Sequence, residues 1–262
     1  MPAVPNRYEL QDSVLAALKA LGGSGSNEEI HEKVIELLNL PDEVVDAPHG
    51  SDGSGRTALT YELAWARTYL KNAGKIESPM RGVWALPSGQ VSDAAAAPST
   101  PIDDDESWKE TLQKVLTESV TPSGFERLIQ RMLRESGFVQ VEVTGRNGDG
   151  GIDGRGIVRL NGFLTFHVFF QCKRYSGAVS VEKIRDFRGA MEGRADKGLF
   201  ITTGYFTRDA EKEATRDGAR PIELVDGERL AEKLRELRLG VKVTTVEKTA
   251  IDAAWFETLS DK

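Results

Sequence analysis

Asp153, Gln171 and Lys173 are the residues in this chain whose types and spacing could do chemistry. A carboxylate, an amide oxygen and an ammonium gathered at one point can hold a hard divalent cation through oxygen and set a positive charge beside a water molecule. That combination suits metal-assisted hydrolysis. Gln171 and Lys173 are two residues apart, so on a strand they leave from one face, with Cys172 on the other.

The strand carrying them is the second arm of a hairpin signalled by Leu160-Asn161-Gly162-Phe163. On the first arm Asp153, Arg155, Ile157 and Arg159 share a face. On the second, His167, Phe169, Gln171 and Lys173 alternate with Phe166, Val168, Phe170 and Cys172. A two-residue Asn-Gly loop would pair Leu160 with Phe163 and put Asp153 opposite Phe170, on the wrong face from Gln171. The site therefore requires an irregular hairpin. One solution is a three-residue loop, Leu160 to Gly162, with Gly162 left-handed and Arg159 paired with Phe163; the other is a bulge at Gly154 or Gly156.

Other residues near this segment have plainer readings. Asp149 between glycines reads as a turn residue. Ser123-Gly-Phe-Glu126 fits a capping box, in which Glu126 reaches back to the Ser123 amide. His167 reads as a packed strand residue, since no nearby His or Cys offers a zinc partner. Phe163, Phe166, Phe169 and Phe170 read as core rather than as a base-stacking platform. Arg127, Arg131, Arg134, Arg174 and Lys183 could flank a phosphate path or simply form a solvated face.

Around the hairpin, helical patterns at Trp108 to Ser119 and Ser123 to Ser136 precede it. A Ser180-capped helix to about Arg194, a strand from Gly198, a Thr207-capped helix to about Asp217, a strand over Pro221 to Val225 and a helix over Glu228 to Leu237 follow it. Residues 107–262 thus read as an α/β domain with a sheet flanked by helices. Residues 91–106, rich in Ala, Pro, Ser and Asp, read as a flexible acidic linker. Residues 1–90 form a separate unit. There, Tyr8 to Leu21 is a helix, Asn27 caps a second, and a third runs from Thr57 to Ala73 with Leu59, Leu63, Ala66 and Leu70 inward. A hairpin turning at Pro79-Met80-Arg81-Gly82 closes the unit. Helix, helix, helix, hairpin is the winged-helix order, which makes Arg56, Arg67, Lys71 and Arg81 candidate DNA contacts.

The bulk properties allow this and exclude little. The net charge is −7, but Lys+Arg exceed Asp+Glu, 23 to 20, over residues 107–240. The acidity therefore lies outside the catalytic half. No apolar run is long enough for a membrane span. A lone cysteine and the lack of a signal segment at the N-terminus fit a cytoplasmic setting.

GDGGID followed by QCK, with Phe125-Glu126 upstream, FITTGYFT downstream and RGVWAL closing the first domain, resembles the Mrr-type restriction endonuclease family over nearly the whole chain. The resemblance implies an α/β fold class: an N-terminal winged helix followed by a PD-(D/E)xK nuclease domain with a mixed central sheet, its second acidic ligand replaced by glutamine. It implies cleavage of methylated double-stranded DNA with Mg²⁺, for which Mn²⁺ could substitute. Asp153, Gln171 through its amide and Cys172 through its carbonyl would be metal ligands, Lys173 and Glu126 would join Asp153 and Gln171 in catalysis, and Arg174 would contact DNA. Cutting both strands takes two active sites, so a homodimer at least on DNA is expected. Two competing readings remain: a non-catalytic DNA-binding regulator with a degenerate nuclease domain, which the neutral Gln171 keeps open, and a repair or junction nuclease on the same fold.

Overall fold

The computed structural model describes residues 4–49, 57–87, 107–143, 151–161 and 163–244. In the N-terminal unit α1 (Leu10–Ala20), β1 (Ser24–Ser26), α2 (Asn27–Leu38), a one-turn α3 (Asp42–Val45), α4 (Ala58–Asn72), β2 (Glu77–Met80) and β3 (Val83–Ala85) follow in order. Leu59, Leu63, Ala66 and Leu70 of α4 are fully buried against Leu10, Val14 and Leu18 of α1 and Ile30 and Val34 of α2, as helical spacing required.

Two details differ from expectation. The short strand β1 pairs with β3 and makes the wing a three-stranded sheet of order β1-β3-β2. The cap of α2 is Ser26 rather than Asn27: its hydroxyl accepts from the Glu29 amide at 3.1 Å and Glu29 accepts from the Ser26 amide at 2.8 Å. Asn27 instead accepts the Trp84 indole N–H at 2.9 Å.

The second unit begins with α5 (Ser107–Lys114), continued by a π-helical turn (Val115–Ser119), and α6 (Pro122–Glu135). Then come β4 (Phe138–Val143), β5 (Gly154–Leu160), β6 (Leu164–Lys173), β7 (Ala178–Val179), α7 (Val181–Met191), β8 (Lys197–Thr202), β9 (Tyr205–Phe206), α8 (Arg208–Ala214), β10 (Ile222–Val225) and α9 (Gly227–Glu236). The main sheet has the order β10-β8-β6-β5-β4, parallel through β6, β8 and β10 and antiparallel through β4, β5 and β6. One face packs Val168, Phe170 and Cys172 under Phe125, Ile129 and Met132 of α6 and Leu230 and Leu234 of α9. The other packs Phe169, Phe200 and Ile222 under Ile184, Phe187 and Met191 of α7 and Ala210 of α8. Helices on both faces are what a sheet with apolar residues at successive positions demands.

The two units are in contact. Arg134 of α6 is 1% exposed and donates to Glu29 of α2 at 2.9 Å, to the Leu21 carbonyl, and to the Val141 carbonyl of β4 at 2.9 Å. Arg131 donates to the Leu86 carbonyl at 2.8 Å and to Glu135 at 2.7 Å. Neither arginine is available to a phosphate path, because both guanidiniums are buried in this seam. The expected flexible linker falls outside the described residues.

Candidate active site

The hairpin solves its register problem in a third way. β5 and β6 pair continuously from Leu160↔Leu164 to Gly154↔Phe170, so three residues separate the paired ends, and Gly162, expected to be left-handed, lies outside the described residues. Asn161 takes the left-handed turn, φ +51°, and the Phe163 amide donates to the Leu160 carbonyl at 3.2 Å. The loop thus has the expected length but starts one residue later, and β5 needs no bulge at Gly154 or Gly156. Extended by one step, this register sets Asp153 opposite Gln171.

Asp153 lies just before β5, where its backbone N–H still donates to the Phe170 carbonyl at 3.0 Å. Its carboxylate turns toward the end of β6: Oδ2 accepts the Cys172 N–H at 2.8 Å, and Oδ1 is 3.6 Å from Lys173 Nζ. The N–H and C=O of one strand residue leave on the same side, so the Cys172 carbonyl also projects toward Asp153. The Cys172 thiol faces the core, and burial, with the Asp153 and Glu126 charges, pushes it up and keeps it protonated.

Gln171 is 7% exposed, and its amide packs against Gly151. Gly151 has φ +89°, and a β-carbon there would collide with the Gln171 amide nitrogen. Gly151 is thus the surface on which the Gln171 amide rests. Sequence reading assigned Gly151 no role, although GDGGID was its signal. Asp149 and the rest of that run lie outside the described residues.

Glu126 is not a cap. α6 starts two residues earlier than expected, with Thr121 accepting from the Gly124 amide at 3.1 Å and Pro122 in the first turn. Freed from the terminus, Glu126 lies close enough to Asp153 and Lys173 to feel both charges. Burial, and then the Asp153 carboxylate, raise its carboxyl above the usual range, against the opposing pull of Lys173 and Arg127.

Two carboxylates converging with one ammonium, a buried amide and a strand-end carbonyl form an all-oxygen donor set in which the acids repel each other. A divalent cation would relieve that repulsion, so these residues fit a hard metal ion. Among the described residues no group of three or more His, Cys, Asp or Glu could hold a metal. A metal held by the described residues would therefore draw on neutral oxygens as well.

The remaining candidates divide. Arg174 is half-buried and donates through Nη1 to the carbonyls of Leu116 (3.4 Å), Thr117 (3.0 Å) and Val120, which ties its guanidinium to the π-helical turn. Arg67 is buried rather than on the outer face of α4, 5.7 Å from the Trp84 ring, and burial lowers its pKa to about 10. Both assignments as DNA contacts are thereby corrected. Lys71, Arg81, Arg127 and Lys183 are exposed, and Arg56 lies outside the described residues. His167 is exposed rather than packed, its amide donating to Asp196 at 2.8 Å, and Phe163 is 92% exposed at the loop rather than core. Among the described residues no helix is long and apolar enough to cross a membrane.

Comparison with known proteins agrees with the layout. Residues 117–234 match the catalytic-domain family described as restriction endonuclease, and residues 8–90 match the Mrr N-terminal domain. Over 316 aligned residues the chain is 28% identical to the type IV methyl-directed restriction enzyme EcoKMrr of Escherichia coli K12, covering 97% of this chain and 99% of that protein. Among solved structures, the MspJI restriction endonuclease in complex with a 27-mer oligonucleotide aligns at 27% identity and TM-score 0.41, over 56% of this chain and 37% of that one. The DNA modification-dependent restriction endonuclease AspBHI aligns at 22% identity and TM-score 0.44, over 77% and 50%. The chain thus spans half or less of the length of either solved relative.

Proposed function

Because this chain belongs to the Mrr-type restriction endonuclease family, we propose that it is a type IV-like endonuclease that hydrolyses phosphodiester bonds of methylated double-stranded DNA with Mg²⁺ as its metal. The observation that carries the reading is the contact of Lys173 Nζ with Asp153 Oδ1 at 3.6 Å while Oδ2 is fixed by the Cys172 amide. A regulator with a degenerate site would have no need to keep an acid and an amine so aligned.

In this reading Asp153, the Gln171 amide oxygen, the Cys172 carbonyl and Glu126 would hold the cation. When bound, it offsets charge growing on the phosphate and makes water easier to deprotonate. The Cys172 N–H keeps the Asp153 carboxylate from rotating. Lys173 orients the attacking water and stabilises negative charge on the phosphoryl oxygens. Glu126, whose carboxyl burial and Asp153 raise in the metal-free fold, would supply the second negative charge that the neutral Gln171 does not. Lys71, Arg81 and Arg127 are the exposed cations offered to the DNA backbone. Cutting both strands takes two copies, so a homodimer forms on DNA.

The test is cleavage of methylated and unmethylated plasmid by the full chain, with and without Mg²⁺, beside Asp153→Ala and Lys173→Ala. The reading expects metal-dependent cutting of the methylated plasmid alone, abolished in both variants. Undiminished cutting by Asp153→Ala would refute the centre; binding without cutting by the intact protein would favour the regulator.

A further inference from the structure

The outer face of α4 carries rings where a helix that only grips phosphate would carry Lys or Arg. Tyr61, Trp65 and Tyr69 recur every four residues, on the side opposite Leu59, Leu63, Ala66 and Leu70. With His49 and Tyr8 they form one continuous ladder. Successive ring centroids are 3.7 Å (His49 to Tyr61, stacked), 6.4 Å (Tyr61 to Trp65), 6.1 Å (Trp65 to Tyr69) and 5.5 Å (Tyr69 to Tyr8). Trp65, Tyr69 and Tyr8 are 39%, 37% and 66% exposed. The cation lying over the ladder is neutralised: Arg7 sits 5.6 Å from the Tyr61 centroid and 5.3 Å from Trp65, held at 2.8 and 2.9 Å by the Glu62 carboxylate.

We propose that this ladder reads the modified base: Trp65, flanked by Tyr61 and Tyr69, makes apolar contact in the major groove with the methyl group of a methylated cytosine or adenine. The inference rests on the methylation-dependent reading above and names the residues that would carry it.

Four observations support DNA as the occupant. Apart from the one-turn α3, α4 is the third helix before the hairpin, the element that winged helices lay in the major groove. The nuclease unit meets the winged helix at Leu21, Gly22, Glu29, Met80 and Leu86, none of them on α4, so these contacts leave the ladder uncovered. Lys71 near the end of α4, Lys75 just beyond it and Arg81 in the wing are exposed cations of the same unit and offer the positive charge that phosphates require. Eight residues of helix span about 12 Å, the reach of three to four base steps.

The chemistry favours a methyl group in particular. Thymine is read in the major groove partly by apolar contact with its C5-methyl, and a methyl on cytosine C5 or adenine N6 projects into the same groove. An unmodified cytosine edge offers there only an amino donor, for which an aromatic face is a poor partner. A ladder whose one overlying cation is paired gives little to the phosphate and much to an added methyl.

The experiment is binding, in metal-free buffer so that nothing is cut, of the full chain to three pools of random-sequence duplex: unmodified, 5-methylcytosine throughout, and N6-methyladenine throughout. The wild type should prefer at least one methylated pool. Trp65→Ala should lose about tenfold affinity for that pool and change less than about twofold on the unmodified pool, with Trp65→Phe retaining most of the preference and Tyr69→Ser losing part of it. Retained affinity for unmodified DNA shows that a variant is folded. A preference unchanged in Trp65→Ala and Tyr69→Ser overturns the inference and leaves the proposed function standing; so does an equal loss on all pools, which would make the ladder a general DNA grip. A wild type without preference overturns both. A loss of self-association in sedimentation with the preference intact would assign the ladder to a second copy of the chain, and also overturns it.

Discussion

Glu29 and Arg134 lie 105 residues apart in the sequence and form a buried ion pair, with Arg134 Nε 2.9 Å from Glu29 Oε1. Three donors converge on that carboxylate: the Ser26 amide that caps α2, the Arg134 guanidinium, and the Val141 amide of β4 at 3.1 Å. Val141 is free to donate because β4 breaks register with β5 between Val139 and Glu142, and Gln140 takes a left-handed φ of +52°. Beyond that break, Val143 pairs with Gly154, the residue after Asp153. The winged helix therefore grips the nuclease sheet one strand away from the candidate metal ligand.

Removing either partner of this pair leaves an uncompensated buried charge. Glu29→Ala and Arg134→Ala should each cost about 3–5 kcal/mol in denaturant unfolding. The double variant should cost less than the sum of the two, because the partners share one interaction. Strictly additive losses would mean that each side chain is held by its backbone partners alone.

Arg174→Ala tests a reassignment. If the guanidinium closes the π-helical turn through Leu116, Thr117 and Val120, the variant should melt earlier by roughly 1–3 kcal/mol while keeping wild-type affinity for DNA. Lys71→Ala and Arg81→Ala should do the reverse, weakening binding at low salt with little change in melting. A salt-dependent binding loss in Arg174→Ala without destabilisation would restore it as a DNA contact.

Gly151→Ala places a β-carbon against the Gln171 amide on a backbone of φ +89°. The strained conformation alone costs about 1–3 kcal/mol, and displacement of the amide should add a loss of cleavage larger than the loss of stability explains. Cleavage by the folded fraction equal to wild type would show that the placement of Gln171 is immaterial.

How far the sequence foretold this site depends on the range of the forces that build it. Gln171 and Lys173 were legible because strand periodicity is local. That Asp153 must meet them was also legible, as a demand for an irregular hairpin; whether the loop began at Leu160 or Asn161 was not, since it turned on which residue took the left-handed φ. The role of Glu126 hinged on a cap: Ser123 matched the capping pattern, but Pro122 suits the first turn of a helix, and that favoured Thr121. Arg131 and Arg134 read equally as phosphate-path cations or as a solvated face, because periodicity on α6 identifies an outer face without revealing that another domain covers it. The same ambiguity hid the ladder on α4: spacing predicted which residues face the core and left the opposite rings unread.

Glu126 supplies the pH dependence. Its carboxyl is raised by burial and by Asp153, so in the metal-free fold it favours the neutral form more than it does in the unfolded chain. A raised folded pKa contributes stability that is fully present below the ordinary carboxylate pKa and is lost as pH rises through the folded value. Metal-free wild type should therefore lose stability relative to Glu126→Gln as pH rises from about 4 into the neutral range, because the variant carries no charge to repel Asp153. Added Mg²⁺ should reverse the order at neutral pH, stabilising the wild type more than the variant, since a bound cation draws on the second carboxylate. Thermal melts of both proteins across that range, with and without Mg²⁺, decide the matter. Parallel pH curves would mean that Glu126 and Asp153 do not sense each other, and an equal Mg²⁺ shift in both would remove Glu126 from the metal site.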